Sequence, residues 1–145
     1  MLIDSLLKSN NKNIIKINMN NNKLDDDCFE KLGELIKKNE NIRHIDFGYN
    51  CITDRGIEEL SEYVVGNTSI ETICLCGNSG ITDNSFAMIK NMINSSIVSS
   101  LDIGYTEISE DIAGEISELL KIPIEKRKIP LITIGNVKSA SKKNN

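Results

Sequence analysis

The sequence predicts an α/β repeat fold in which short parallel strands alternate with helices. Three observations predict it. One apolar pattern returns every 28 residues, each copy opens with strand-type alternation, and each closes with helix-type spacing. The pattern is Ile42-x-x-Ile45-x-Phe47-x-x-Asn50-x-Ile52. It occurs upstream as Ile14-x-x-Ile17-x-Met19-x-x-Asn22-x-Leu24, and downstream as Ile70-x-x-Ile73-x-Leu75-x-x-Asn78, where Gly80 delays Ile81 by one place. A fourth copy reads Val98-x-x-Leu101-x-Ile103-x-x-Thr106-x-Ile108, and a partial one Ile129-x-x-Ile132-x-Ile134-x-x-Val137 follows after a step of 31.

The strand half of a copy is read from Ile45 and Phe47, which alternate with His44, Asp46 and Gly48. The helix half is read from sets such as Phe29, Leu32, Leu35 and Ile36, or Ile57, Leu60, Tyr63 and Val64. The same spacing holds Phe86, Ile89, Met92 and Ile93, then Ala113, Ile116, Leu119 and Leu120. One strand and one helix cannot bury both apolar faces, so copies must stack, with strands lining a concave wall and helices a convex one. Residues 1–137 form one domain on this reading. A half-repeat over 1–13 opens it with a helix tail at Leu2, Ile3, Leu6 and Leu7, placed to cap the first strand, and a turn. Repeats then start at 14, 42, 70 and 98, a terminal strand spans about 129–137, and 138–145 is a basic tail that guards the sheet edge.

The pattern LxxLxLxxNxL followed by a helix in a 28-residue period resembles the ribonuclease-inhibitor class of leucine-rich repeats, over roughly Ile14 to Val137. That class includes ribonuclease inhibitor, the Ran GTPase-activating protein, the sensor repeats of NOD-like receptors and the tropomodulin C-terminal domain. The resemblance implies a right-handed leucine-rich-repeat solenoid, a fragment of a horseshoe. Asn22, Asn50 and Asn78 match the family's asparagine, which satisfies backbone groups where the chain leaves each strand. Thr106 departs from the pattern, at an expected loss of about 1 kcal/mol. Gly33 inside a helix is expected to cost about as much.

Composition narrows the function. Aromatics make up 4 % of the chain and Trp is absent, so Ile and Leu fill the core. The net charge of −4 divides into +6 over Lys121–Asn145 and −10 over the rest, which disfavours nucleic acid on the body. No apolar run approaches the roughly 18 residues that span a bilayer. The acid within Met1-Leu2-Ile3-Asp4 makes a poor signal peptide, so a cytoplasmic location is expected, with Cys28, Cys51, Cys74 and Cys76 reduced. The glycosylation patterns Asn67-Thr68-Ser69 and Asn94-Ser95-Ser96 then carry no weight.

Three columns face outward from the strands. The first reads Asn18, Asp46, Cys74, Asp102 and Thr133, the second Asn20, Gly48, Cys76, Gly104 and Gly135, and the third Asn21, Tyr49, Gly77, Tyr105 and Asn136. Tyr49 and Tyr105 are candidate protein-binding anchors, or else covers for neighbouring glycines such as Gly77. With Asp46, Asp102, His44, Cys74 and Cys76 they make up the expected concave binding face. Cys74, Cys76, His44 and Asp46 share one side of the sheet as soft-metal donors. Residues two apart in a strand lie about 6.6 Å apart, however, too splayed for a disulfide and an incomplete ligand set by spacing. No metal, cofactor or catalytic residue is therefore expected, and the lone histidine completes no nucleophilic set. Asp25-Asp26-Asp27, Asp54 and Asp83 precede helices, where acids suit capping and the helix dipole. Calcium would need more oxygen ligands in one loop. The expected function is non-enzymatic binding of another protein, one with a basic patch. The resemblance also implies two alternatives, a GTPase-activator-like regulator and an actin-filament-capping cytoskeletal module.

Overall fold

The computed structural model describes residues 2–9 and 11–128. Its elements run α1 (Leu2–Ser9), β1 (Lys16–Asn18), α2 (Cys28–Lys38), β2 (His44–Asp46), α3 (Asp54–Val64), β3 (Thr72–Cys74), α4 (Phe86–Asn94), β4 (Ser100–Asp102) and α5 (Glu110–Leu120). A 3-10 turn at Asp83–Ser85 leads into α4, and another covers Ile124–Lys126. The terminal strand expected at 129–137 and the tail at 138–145 lie outside the described residues.

The four strands form one parallel sheet in the order β1-β2-β3-β4. Ile17, Ile45, Ile73 and Leu101 stand side by side across it, so the pairing follows the 28-residue step of the sequence. Pairing continues past the strand ends: Met19, Phe47 and Leu75 donate N–H to Asp46, Cys74 and Asp102 at 2.8–2.9 Å. Each central strand residue points into the core, while its two neighbours face the other side. Against that core lie Phe29, Leu32, Leu35 and Ile36 of α2, Ile57, Leu60 and Val64 of α3, and Ile89, Met92 and Ile93 of α4, all buried. The Phe29 and Phe47 rings, from the helix and strand layers, meet with centroids 5.4 Å apart. The helix α1 extends the helix row by packing on α2, its Asp4 bound to Lys31 at 2.7 Å and its Ile3 fully buried.

Asparagines fasten one repeat to the next. The Asn50 amide donates to Phe47 and Gly48 carbonyls of its own turn and to Met19 of the preceding repeat, at 3.0–3.1 Å. Its oxygen accepts the Asn22 and Leu24 N–H groups at 2.9 Å. Fully buried Asn78 repeats this with Phe47, Leu75 and Cys76 carbonyls and the Ile52 N–H. Thr106 bonds only within its own repeat, donating to Ile103 and accepting from Ile108.

A second set of ties corrects the reading of the pre-helix acids. Asp27 sits at the start of α2 without a side-chain capping bond. Asp26 instead accepts both the Thr53 N–H (2.8 Å) and the Thr53 hydroxyl (2.6 Å) of the next repeat. Asp54 does the same for Thr82 and adds the Ser85 hydroxyl, and Asp83 accepts the Ser109 N–H. Capping falls to the hydroxyls themselves, with Thr53, Thr82 and Ser109 accepting N–H groups of the helix or turn each opens. The carboxylates thus hold the capping residues in place across repeats. Gly33 also has a packing role that helix propensity conceals. The Tyr63 ring of α3 lies where a Cβ would stand, and Lys37 rests over that ring at 5.2 Å.

The two kinds of tie predict different responses. Asn78→Ala strands several buried backbone groups and should cost about 2–4 kcal/mol in urea unfolding, against about 1 kcal/mol for Thr106→Ala. Equal losses would show that the bonds between repeats carry no special weight. Burial raises the Asp54 carboxyl, yet its bonds from Ser85 and Thr82 together hold it below its usual value. A depressed carboxylate stabilises the fold above its unfolded pKa and loses that contribution as pH falls through the folded one. The stability gap between wild type and Asp54→Asn should therefore be full at pH 7 and shrink below about pH 4. A gap unchanged down to pH 2 would refute the assignment.

Candidate functional site

The outward side of the sheet gathers the residues singled out in the sequence. A depression of about 330 Å³ lies there, lined among others by Lys16, His44, Asp46, Cys74 and Asp102. Three members of the first column bend back onto the chain. Asn18, Asp46 and Asp102 each accept, through Oδ1, the N–H two residues on, from Asn20, Gly48 and Gly104 at 2.9–3.0 Å. These are Asx turns that steer the chain out of the strand. His44 is held by Thr72 of the neighbouring strand, Nδ1 to Oγ1 at 2.8 Å.

The third repeat breaks this pattern, with Cys74 in the acid's place and Cys76 where its neighbours have glycine. Strand spacing predicts splayed thiols, and the structure corrects this: the two Sγ atoms lie 3.2 Å apart. Cys74 ends β3 and Cys76 already belongs to the exit turn, so full strand extension does not separate the pair. Nor do His44 and Asp46 complete the donor set. Asp102 does so instead, and one ligand atom from each of Cys74, Cys76 and Asp102 lies within 4.8 Å of the others. Burial pushes the Cys74 thiol up to about 12, helped by the Cys76 side chain and the Asp46 charge. Burial does the same to Cys28 in the core, with Asp25 and Asp26 adding to it.

The third column has an unusual backbone. Asn21, Tyr49, Gly77 and Tyr105 all adopt the left-handed conformation, with φ of 57°, 53°, 73° and 55°. Asparagine and glycine take it readily, whereas a bulky residue does so at a cost. Sequence inspection alone gave no sign of this. The Tyr49 ring fills the space where a Cβ of Gly77 would stand, so the cover role weighed for it is real. It is nevertheless half exposed, and its ring centroid lies 6.5 Å from that of Tyr105, which is 83 % exposed. The missing side chain at Gly77 lets tyrosines from the second and fourth repeats meet across the third.

With this geometry in view, comparison with solved structures returns the tropomodulin C-terminal domain of Caenorhabditis elegans. The match has a TM-score of 0.51 and 12 % identity over 99 % of each chain. The chain carries a leucine-rich-repeat-like fold. No protein-family model and no curated protein matches its sequence. Among the described residues no helix is long and apolar enough to cross a membrane.

Thiol reactivity follows from these environments, because the thiolate is the nucleophile. Cys51 is exposed, whereas Cys28 is buried and Cys74 half-buried. Maleimide at pH 7 should modify Cys51 first and leave Cys28 and Cys74 largely unreacted, as peptide mass mapping over time would show. Modification of Cys74 as fast as Cys51 would contradict the environment described.

Proposed function

We propose that this chain is a non-catalytic module that binds another protein through the outward strand face and the strand-exit tyrosines. On this reading that face is the concave wall of a right-handed solenoid. The observation that supports it most is the pair Tyr49 and Tyr105, large side chains kept exposed on backbone that favours glycine or asparagine. Strained, exposed residues of this kind concentrate at binding sites. Tyrosine offers a large apolar area with a polar tip, and a rigid sheet lowers the entropy lost on binding. Asp46 and Asp102 flank the tyrosines and favour a partner with a basic patch. The −10 charge outside the C-terminal 25 residues argues against nucleic acid, and a cytoplasmic location suits four unpaired cysteines. His44 is engaged by Thr72, which fits a structural rather than a catalytic histidine. At 12 % identity the tropomodulin likeness favours neither the capping nor the GTPase-regulating alternative.

The test compares partners captured by immobilised variants from lysate of the source cells, with affinities then measured for whatever is retained. Tyr105→Asn suits the local backbone and should leave stability within about 1 kcal/mol of wild type. It should weaken binding by at least about 2 kcal/mol, roughly thirtyfold. Asp102→Lys should slow association and alter its salt dependence. Exposed helix positions serve as controls, Glu58→Lys and Lys90→Glu. If the helix changes abolish capture and the strand changes do not, the partner sits on the helices and the proposed face is wrong.

A further inference from the structure

We propose that Cys74, Cys76 and Asp102 form a site for a thiophilic divalent cation, with zinc the ion that fits best. The inference does not depend on partner binding, although its donors lie on the proposed binding face, and it rests on the geometry of three donors.

Two thiols and one carboxylate converge from adjacent repeats, their ligand atoms within 4.8 Å of one another. Zinc bound tetrahedrally has metal–sulfur distances of about 2.3 Å and metal–oxygen distances of about 2.0 Å, which sets two sulfurs roughly 3.8 Å apart and sulfur and oxygen roughly 3.5 Å apart. The observed separations are 3.2 Å between Cys74 Sγ and Cys76 Sγ and 3.9 Å between Cys74 Sγ and Asp102 Oδ2. Small rotations of half-buried side chains close the difference.

The surroundings arrange the donors. Gly104 N–H holds Asp102 Oδ1 at 2.9 Å, and Oδ2 is the atom turned toward Cys74. Such an outer bond orients a ligand carboxylate. Gly48 makes room on the other side, since a Cβ there would come within 3.0 Å of Cys76 Sγ. Asp46 lies beside Cys74 in the strand register, opposite Asp102, and adds to a negative field. That field attracts a cation. Binding releases both thiol protons to solvent: a dication, two thiols and one carboxylate give a monoanionic complex and two protons. A fourth position remains for water. Sequence spacing splayed the two thiols and drew their fellow donors from the preceding repeat, whereas Asp102 belongs to the following one.

The experiment uses the full chain, reduced and kept anaerobic, with Zn²⁺ titrated against a chromophoric chelator and Co²⁺ as a spectroscopic substitute. One equivalent of zinc should bind, and Co²⁺ should give a near-ultraviolet thiolate-to-metal charge-transfer band. Cys74→Ser and Cys76→Ser should each lower affinity by about a hundredfold or more, and Asp102→Asn by roughly tenfold. Cys51→Ser should change nothing. Circular dichroism of each variant separates loss of the site from loss of the fold. If a folded Cys74→Ser variant keeps full affinity, the cobalt band follows Cys51, or wild type takes up no stoichiometric zinc, the site does not exist.

Discussion

Asn50 and Asn78 each bind backbone on two successive repeats at once, and the rest of the architecture follows from this. A parallel sheet one strand per repeat leaves carbonyls and N–H groups exposed at every exit turn, and these turns lie over a dry core. A single primary amide answers both sexes of group. Its NH₂ reaches Met19 and Phe47 or Phe47 and Leu75, while its oxygen takes the Leu24 or Ile52 N–H. Because the partners on the preceding repeat are 26 to 31 residues away, repeat length is fixed by hydrogen bonding as well as by core packing. Asp26 and Asp54 set the same interval further along, at the helix starts. The extra Gly80 is absorbed between these two points, where it bridges to Thr53, so the register of β4 is undisturbed.

Fixing the exit turn also fixes where side chains can leave the sheet. The position before each asparagine, or before Thr106, is left-handed in every described repeat, whatever residue occupies it. Tyr49 and Tyr105 inherit that geometry from the frame. Gly77 between them both accepts the conformation and vacates the space into which Tyr49 leans. The exposed aromatic pair is thus a property of three successive repeats, not of either tyrosine alone.

The strands and the buried helix faces were legible from the sequence because their signals are local and repeated. Ile17, Ile45, Ile73 and Leu101 stand at equal intervals, and the helical sets around Phe29, Ile57 and Ile89 recur with them. What escaped is what one repeat does to the next. Gly33 reads as a weak helix residue until Tyr63 is placed on it. Asp26 and Asp54 read as caps for their own helices until Thr53 and Thr82 are found bonded to them. The thiols of Cys74 and Cys76 read as splayed because strand geometry was extended past Cys74, into the turn. For the glycine and the two aspartates the missing information is a side-chain direction relative to a neighbour 27 to 30 residues away, which composition and spacing do not encode.

The outward columns can differ so much between repeats because the core and the asparagine ties do not depend on them. Asn18, Asp46 and Asp102 keep one shared duty, the Asx turn, and Cys74 lacks an oxygen to perform it. Yet β3 holds its register on both sides, with ladder bonds from Phe47 to Cys74 and from Leu75 to Asp102 at 2.9 and 2.8 Å. The third repeat also carries Asn78, which is fully buried and still binds the Phe47, Leu75 and Cys76 carbonyls and the Ile52 N–H. The local loss of turn chemistry at Cys74, worth about 1 kcal/mol, therefore leaves the strand register and the ties between repeats in place. The same logic places the left-handed tyrosines: their backbone conformation is imposed by bonds the tyrosine side chains do not make. Variation in the outward columns is confined to positions that leave the ties between repeats intact.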